Sequence, residues 1–207
     1  MDLGNILPIL FGIIAAIGVP LALRSRKKSG PKKVEELYHH LEGIGVKASM
    51  LEQGSNQEKV GQRRFGTQKP LGTISVTGRN IDSINVHGMA SQYGVHYFLD
   101  YLVRIFSFTG RVDKKKTKMI KKKTSALRGN VIDVEWRGDD SLARKLNFDY
   151  QLKDKLLQAD LNAFKGSIVI YPELKYEYAR IRTYYFLPTY DLFEAIDIIA
   201  KHLKSEW

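Results

Sequence analysis

The chain reads as an α+β protein: an N-terminal apolar span, then a domain with an antiparallel or mixed β-sheet and two main C-terminal helices. Three observations predict this. Residues 6–23, ILPILFGIIAAIGVPLAL, contain no charged residue. Between residues 72 and 138 several stretches alternate apolar and polar side chains with period two, as half-buried strands do. Beyond Asp139 the order becomes helix, strand, strand, helix, so that the C-terminal half runs β-α-β-β-α.

The apolar run reaches the length needed to cross the hydrocarbon, at the short end of that range. A cleaved signal peptide needs a positive leader, yet only Asp2 is charged before the run, and no small-x-small cleavage site follows. Arg24, Arg26, Lys27, Lys28, Lys32 and Lys33 lie just after the run and no base lies before it. The expectation is a single-pass protein of the cell membrane, N-terminus outside and C-terminal domain cytoplasmic. Gly12 and Ala16 form a small-xxx-small pair through which a second span could approach, so a homo-oligomer or protein partner is admitted. Such pairs are frequent by chance.

The organisation follows: 1–23 tail and transmembrane helix, 24–33 basic juxtamembrane linker, 34–207 cytoplasmic domain. Within the domain, Val34, Leu37, Tyr38 and Leu41 recur at helical spacing, and Gly43 and Gly45 end that helix. Residues 52–70 are polar with three glycines and read as a flexible loop. GTISVTG and DSINVHG form a hairpin. The stretch 95–108 is ambiguous: its apolar residues alternate, while His96, Asp100 and Arg104 make an i, i+4, i+8 stripe. Its β-branched and aromatic content favours a strand. NVIDVEWRG is a strand ending on a core Trp136. Residues 139–161 read as one helix capped by Asp139 or Asp140. Residues 166–173 and 176–188 make a second hairpin, and Thr189 opens the terminal helix, with the helices covering one face of the sheet.

Chemical signatures are sparse. With no cysteine there is no disulfide, thiolate nucleophile or cysteine metal site. His39 and His40 are adjacent and point about 100° apart on a helix, so they do not make a chelating i, i+4 pair. No phosphate loop, dinucleotide fingerprint or nucleophile elbow is present. Arg137-Gly138-Asp139 reads as a turn, and the tyrosines of the last hairpin as half-buried strand residues. No catalytic, cofactor-binding or metal-ligating residue is assigned, and no cofactor is expected.

The net charge of +11 sits in two places. Residues 24–33 contribute +6 and residues 111–128 contribute +8, so the remainder is mildly acidic. The second deposit centres on KKKTKMIKKKT: Lys114, Lys115, Lys116, Lys118, Lys121, Lys122 and Lys123. On a helix these would point in nearly every direction, and on a strand both faces would carry lysine. An exposed hairpin arm or edge strand fits best, because edge lysines also block edge-to-edge pairing. Arg24, Arg26, Lys27, Lys28 and these seven lysines are the candidate contacts to an anionic surface. The expected function is a membrane-anchored binding or scaffold domain whose basic segments touch anionic lipid. A membrane-tethered enzyme with a composite site is the alternative, and so is a non-specific nucleic-acid binder, although bases are not spread along one face.

Overall fold

The computed structural model describes residues 30–52, 54–60, 68–92, 94–105, 114–125 and 129–206. The span at 6–23, with Arg24, Arg26, Lys27 and Lys28, lies outside the described residues. Among those described, no helix is long and apolar enough to cross a membrane.

The domain is an α+β fold built on one eight-stranded antiparallel sheet. In chain order come helix α1 (30–43), β1 (Ala48–Met50), β2 (Gln68–Val76), β3 (Ser83–Ser91), β4 (Gly94–Arg104), β5 (Thr117–Lys123) and β6 (Val131–Arg137). Then follow α2 (Asp140–Phe148), α3 (Tyr150–Gln158), β7 (Val169–Glu173), β8 (Tyr178–Tyr184) and α4 (Tyr190–Glu206). The spatial order β1-β2-β3-β4-β8-β7-β5-β6 shows how the halves meet. An N-terminal meander and the β5–β6 hairpin are joined by the β7–β8 hairpin, which slots between them.

The period-two alternation sorts the side chains onto two faces. Ile74, Ile84, Leu99, Tyr101 and Ile181 point to the side covered by the helices and are fully buried. Leu37 and Leu41 of α1, Leu142 and Leu146 of α2, Leu152 and Leu156 of α3, and Phe193, Ile196 and Ile199 of α4 complete this core. Tyr101 meets Phe193 edge-on at 6.5 Å, a favoured aromatic geometry. Asp197 fastens α4 to the β2–β3 turn: Oδ1 accepts from the Asn80 and Ile81 amides at 2.7 and 3.2 Å, Oδ2 from the Asn80 amide side chain.

Three local expectations change. The helix predicted over 139–161 is two, because Asp149 leaves helical geometry and caps α3, accepting from the Leu152 amide at 2.8 Å. Aspartate competes with helical backbone bonding in this way and favours caps over interiors. Asp139 does the same for α2, accepting from Leu142 at 3.1 Å. The predicted loop 52–70 is partly packed: residues 56–59 form a 3-10 turn, Glu58 and Val60 are buried, and Gln68–Pro70 already belong to β2. The third concerns the lysine strand, which is an arm of the β5–β6 hairpin as expected but not an edge strand. β5 lies between β7 and β6, and the sheet edge is β6. The ambiguous stretch after residue 93 is strand β4 as far as Arg104.

The β6–α2 junction admits only glycine. At Gly138, φ is +141°, and a Cβ would stand 2.1 Å from the Lys116 carbonyl oxygen and 2.6 Å from Thr117 Cα. Both obstacles are backbone and cannot swing aside. Gly138→Ala is therefore expected to cost about 1–3 kcal/mol, read as a lowered denaturation midpoint in urea. An unchanged midpoint would mean that β5 is not held against this turn.

Candidate functional site

One face of the sheet is covered by no α-helix among the described residues, and this helix-free face carries the most concentrated chemistry. Registers place Asn85, Asp100 and Arg182 side by side on β3, β4 and β8, with His87 and Arg180 one step away on the same face. Asp100 is fully buried. Its Oδ1 accepts from Arg182 Nε and its Oδ2 from Arg182 Nη2, both at 2.7 Å, a two-pronged fork of the strongest kind. Arg180 Nη1 reaches Oδ2 at 3.4 Å, while its Nε and Nη2 donate to Glu173 Oε1 at 3.0 and 2.7 Å. His87 is also fully buried; Nε2 stands 3.1 Å from Asp100 Oδ2, within ion-pair range though not aligned as a hydrogen bond. The guanidiniums lie over aromatic rings, Arg182 on Phe98 at 5.2 Å and Arg180 on Tyr171 at 4.5 Å. Two carboxylates and two guanidiniums thus balance before His87 is counted.

Burial by itself would raise the Asp100 pKa. The Arg182 fork, the adjacent His87 and the two guanidinium charges outweigh it and hold the carboxyl far below the usual carboxylate range. A carboxylate so held does not exchange protons near neutral pH, so the arrangement suits a structural tie across strands better than general acid–base work. Beside it, Thr73 Oγ1 donates to Asn85 Oδ1 at 2.7 Å, and Asn85 Nδ2 donates to the Gln57 carbonyl at 2.6 Å. The 3-10 turn at 56–59 is thereby pinned onto this polar face.

Strand alternation distributes the predicted lysines instead of gathering them. Lys114 Nζ donates to the Glu206 carbonyl at 3.1 Å, near the C-terminus of α4. The Lys115 amide donates to Asp139 Oδ2 at 3.2 Å, and its side chain is exposed. Lys116 lies over the Tyr171 ring, and Lys118, Ile120 and Lys122 follow on the helix-free face. Lys122 Nζ stands 3.7 Å from Asp133 and 3.4 Å from Glu135. Lys121 turns to the helix side with Met119, donating to the Leu161 and Phe164 carbonyls at 2.8 and 2.5 Å. Its partial burial, then the nearby charge of Lys123, lowers its pKa. Lys121 is thus bound into the fold, and Lys123 stays exposed.

The strands also define two ends. Pro70, His87, Phe98 and Tyr184 share one level across four strands. The start of α1 lies at this level: a Cβ on Gly30 would stand 2.7 Å from Leu71, and Lys33 Nζ lies 4.2 Å over the Tyr185 ring. β5 pairs with β7 only through Thr117 and Lys118, so Lys121–Lys123 run on past Val169 towards that same end. We call this the proximal end. It carries a cleft of about 670 Å³ lined by Lys33, His96, Tyr97, Lys165, Tyr184 and Phe186, among others. A second, shallower depression of about 550 Å³ lies at the opposite, distal end, between Glu42 and Thr77. Neither opens onto Asp100.

His39 pairs with Glu42 at 3.4 Å, His40 Nε2 lies 2.8 Å from the Pro188 carbonyl, and His202 Nε2 lies 2.6 Å from Asp149. Among the described residues no group of three His, Asp or Glu converges as a metal site. Sequence reasoning missed the Asp100 cluster. Its only signal was the i, i+4 stripe through Asp100 that competed with the strand reading, and Arg180 and Arg182 at i, i+2 on the partner strand.

Removing the charge of Asp100 leaves two arginines buried without their shared partner. Asp100→Asn is expected to cost about 3–5 kcal/mol in urea denaturation. Because the folded-state pKa of Asp100 lies below its unfolded value, the contribution is complete above about pH 4–5 and declines as pH falls further. The wild-type stability should therefore drop on acidification through that window, and the Asp100→Asn variant should lack this component of the slope.

Compared with known proteins, the chain matches no family model, no curated protein and no solved structure.

Proposed function

We propose that the chain is a single-pass membrane protein whose α+β domain is a binding or scaffold unit held with its proximal end against the anionic cytoplasmic leaflet. The observation that carries this is a convergence. The start of α1, which follows the basic segment 24–28, shares one end of the sheet with exposed Lys32, Lys123 and Lys165 and with the Lys121–Lys123 end of β5.

The linker supports the same orientation. Between Leu23 and Gly30 lie six residues. Fully extended, they reach about 20 Å. A domain joined to a span by so short a segment keeps the start of α1 close to the headgroups. Arg24, Arg26, Lys27 and Lys28 would stand at the leaflet, and the lysines of the proximal end would add to them at about 1 kcal/mol each near the surface. Exposed Tyr184 and part-buried Tyr185 and Phe186 at that end suit an interface, where amphipathic rings are favoured.

The test uses residues 29–207, whose core lies entirely between Val34 and Leu203. Co-sedimentation with phosphatidylserine-containing vesicles at low ionic strength should show binding that pure phosphatidylcholine vesicles do not. Lys32→Gln with Lys123→Gln should weaken partitioning about thirtyfold. Lys47→Gln with Lys204→Gln, at the distal end, should change little. Absence of binding to anionic vesicles, or equal losses from both pairs, counts against the proposal.

A further inference from the structure

The proximal cleft has a composition that specifies a ligand more narrowly than surface charge does. Its volume of about 670 Å³ falls within the roughly 300–1,000 Å³ typical of small-molecule sites. Lys33, Lys165 and His96 supply donors on its rim, and among the described residues no carboxylate lines it. Lys33 is partly engaged, 3.3 Å from Glu36 Oε2 one turn along α1. Lys165 is exposed and has no ion-pair partner among the described residues. The walls are apolar and aromatic: Val95, Tyr97, Tyr184 and Phe186.

Those walls are built rigidly. Gly166 has φ +82°, and a Cβ there would lie 2.5 Å from the Tyr184 ring, so this ring lies directly on the chain beside Lys165. On its other side Tyr184 packs on Phe98 at 4.9 Å. Phe186 is set edge-on against Phe164 at 5.7 Å. The Tyr185 hydroxyl lies 2.9 Å from both the Lys33 carbonyl and Glu36 Oε2, which anchors the start of α1 beside the cleft. Cations alone would attract any anion, and rings alone any apolar group. Together, at one opening, they fit a molecule with a phosphate joined to an apolar body.

We propose that this cleft binds the phosphate headgroup of a single anionic phospholipid, with the phosphate between Lys165, Lys33 and His96 and the glycerol–acyl region along Tyr97, Tyr184 and Phe186. The assignment rests on the membrane-facing orientation proposed above and narrows it from a charged leaflet to one seated lipid. Free phosphate shares the charge chemistry but lacks the apolar body.

The experiment uses the full chain in phosphatidylcholine nanodiscs, with or without phosphatidic acid, and acetylation of lysines followed by mass spectrometry. Phosphatidic acid should slow modification of Lys33 and Lys165 severalfold, while Lys201 on α4 is unaffected. Inorganic phosphate added to phosphatidylcholine discs should not reproduce this. Lys165→Gln should abolish the protection of Lys33, while weakening vesicle binding of the 29–207 domain only about fivefold, as the loss of one proximal lysine does. Equal modification of Lys33 and Lys165 in the two kinds of disc overturns the assignment, as does full protection by inorganic phosphate alone. Protection of Lys33 that survives both Lys165→Gln and Tyr184→Ala also overturns it, showing diffuse surface charge instead of a seated lipid. In each of these cases retained vesicle binding leaves the membrane orientation standing, whereas its loss in the wild-type domain removes both.

Discussion

The seam between β4 and β8 is the constraint on which the rest of the fold depends. It joins a meander that ends at Arg104 to a hairpin that begins some 65 residues later, at Val169, and no short turn fixes its register. A slip of one residue would exchange the faces of every side chain along β8. Ile181 would leave the core and Arg182 would enter it against Phe193 and its neighbours. The Asp100–Arg182 fork opposes that slip, since its two 2.7 Å bonds form only when Asp100 and Arg182 stand opposite one another. A buried ion pair adds little net stability compared with apolar packing, but an unpaired buried charge is costly. That asymmetry penalises the wrong register more than it rewards the right one.

The same cluster couples the seam to its surroundings. Glu173 on β7 takes the remaining donors of Arg180, so the third strand of this group is tied in as well. Asn85 passes the constraint to the turn at 56–59 through the Gln57 carbonyl. The helix-free face is therefore ordered by directional polar contacts, whereas the opposite face is ordered by apolar packing under four helices. One sheet carries two different solutions to the cost of removing its surface from water.

The difference explains what could be read in the sequence. Apolar periodicity marks α1, both hairpins, Trp136 and the terminal helix, because burial against helices imposes a pattern on single residues. The Asp139 cap was legible for the same local reason. Asp149 was harder: the leucines at 146, 152 and 156 continue a helical stripe across it, and only the competition of its own carboxylate for the Leu152 amide divides the helix. The Asp100 cluster was not legible, since its members come from β3, β4, β7 and β8 and become neighbours only through strand order. Likewise the lysine run looked like one feature. The strand alternation and the β7 and β6 partners of β5 split it into a bound Lys121, a face-paired Lys122 and exposed Lys118 and Lys123.

Such a division would weaken a free polybasic segment, but a tether changes what strength is required. A contact worth about 4 kcal/mol has a dissociation constant near millimolar and is negligible for a protein in bulk solution. Under the proposed anchoring, by a segment reaching about 20 Å, the same contact would face an effective concentration of millimolar order and be occupied for much of the time. A few unpaired lysines at about 1 kcal/mol each, with aromatic rings beside them, supply energy of that size. The relevant property is then the position of the charge and not its total. In the proposed orientation, lysines at the proximal end would act within reach of the surface, while Lys47 and Lys204, most of a sheet length away, would lie beyond the Debye length of about 8 Å and contribute little. For a tethered domain, a few well-placed cations around a cleft can accomplish what an untethered one would need a continuous basic face to do.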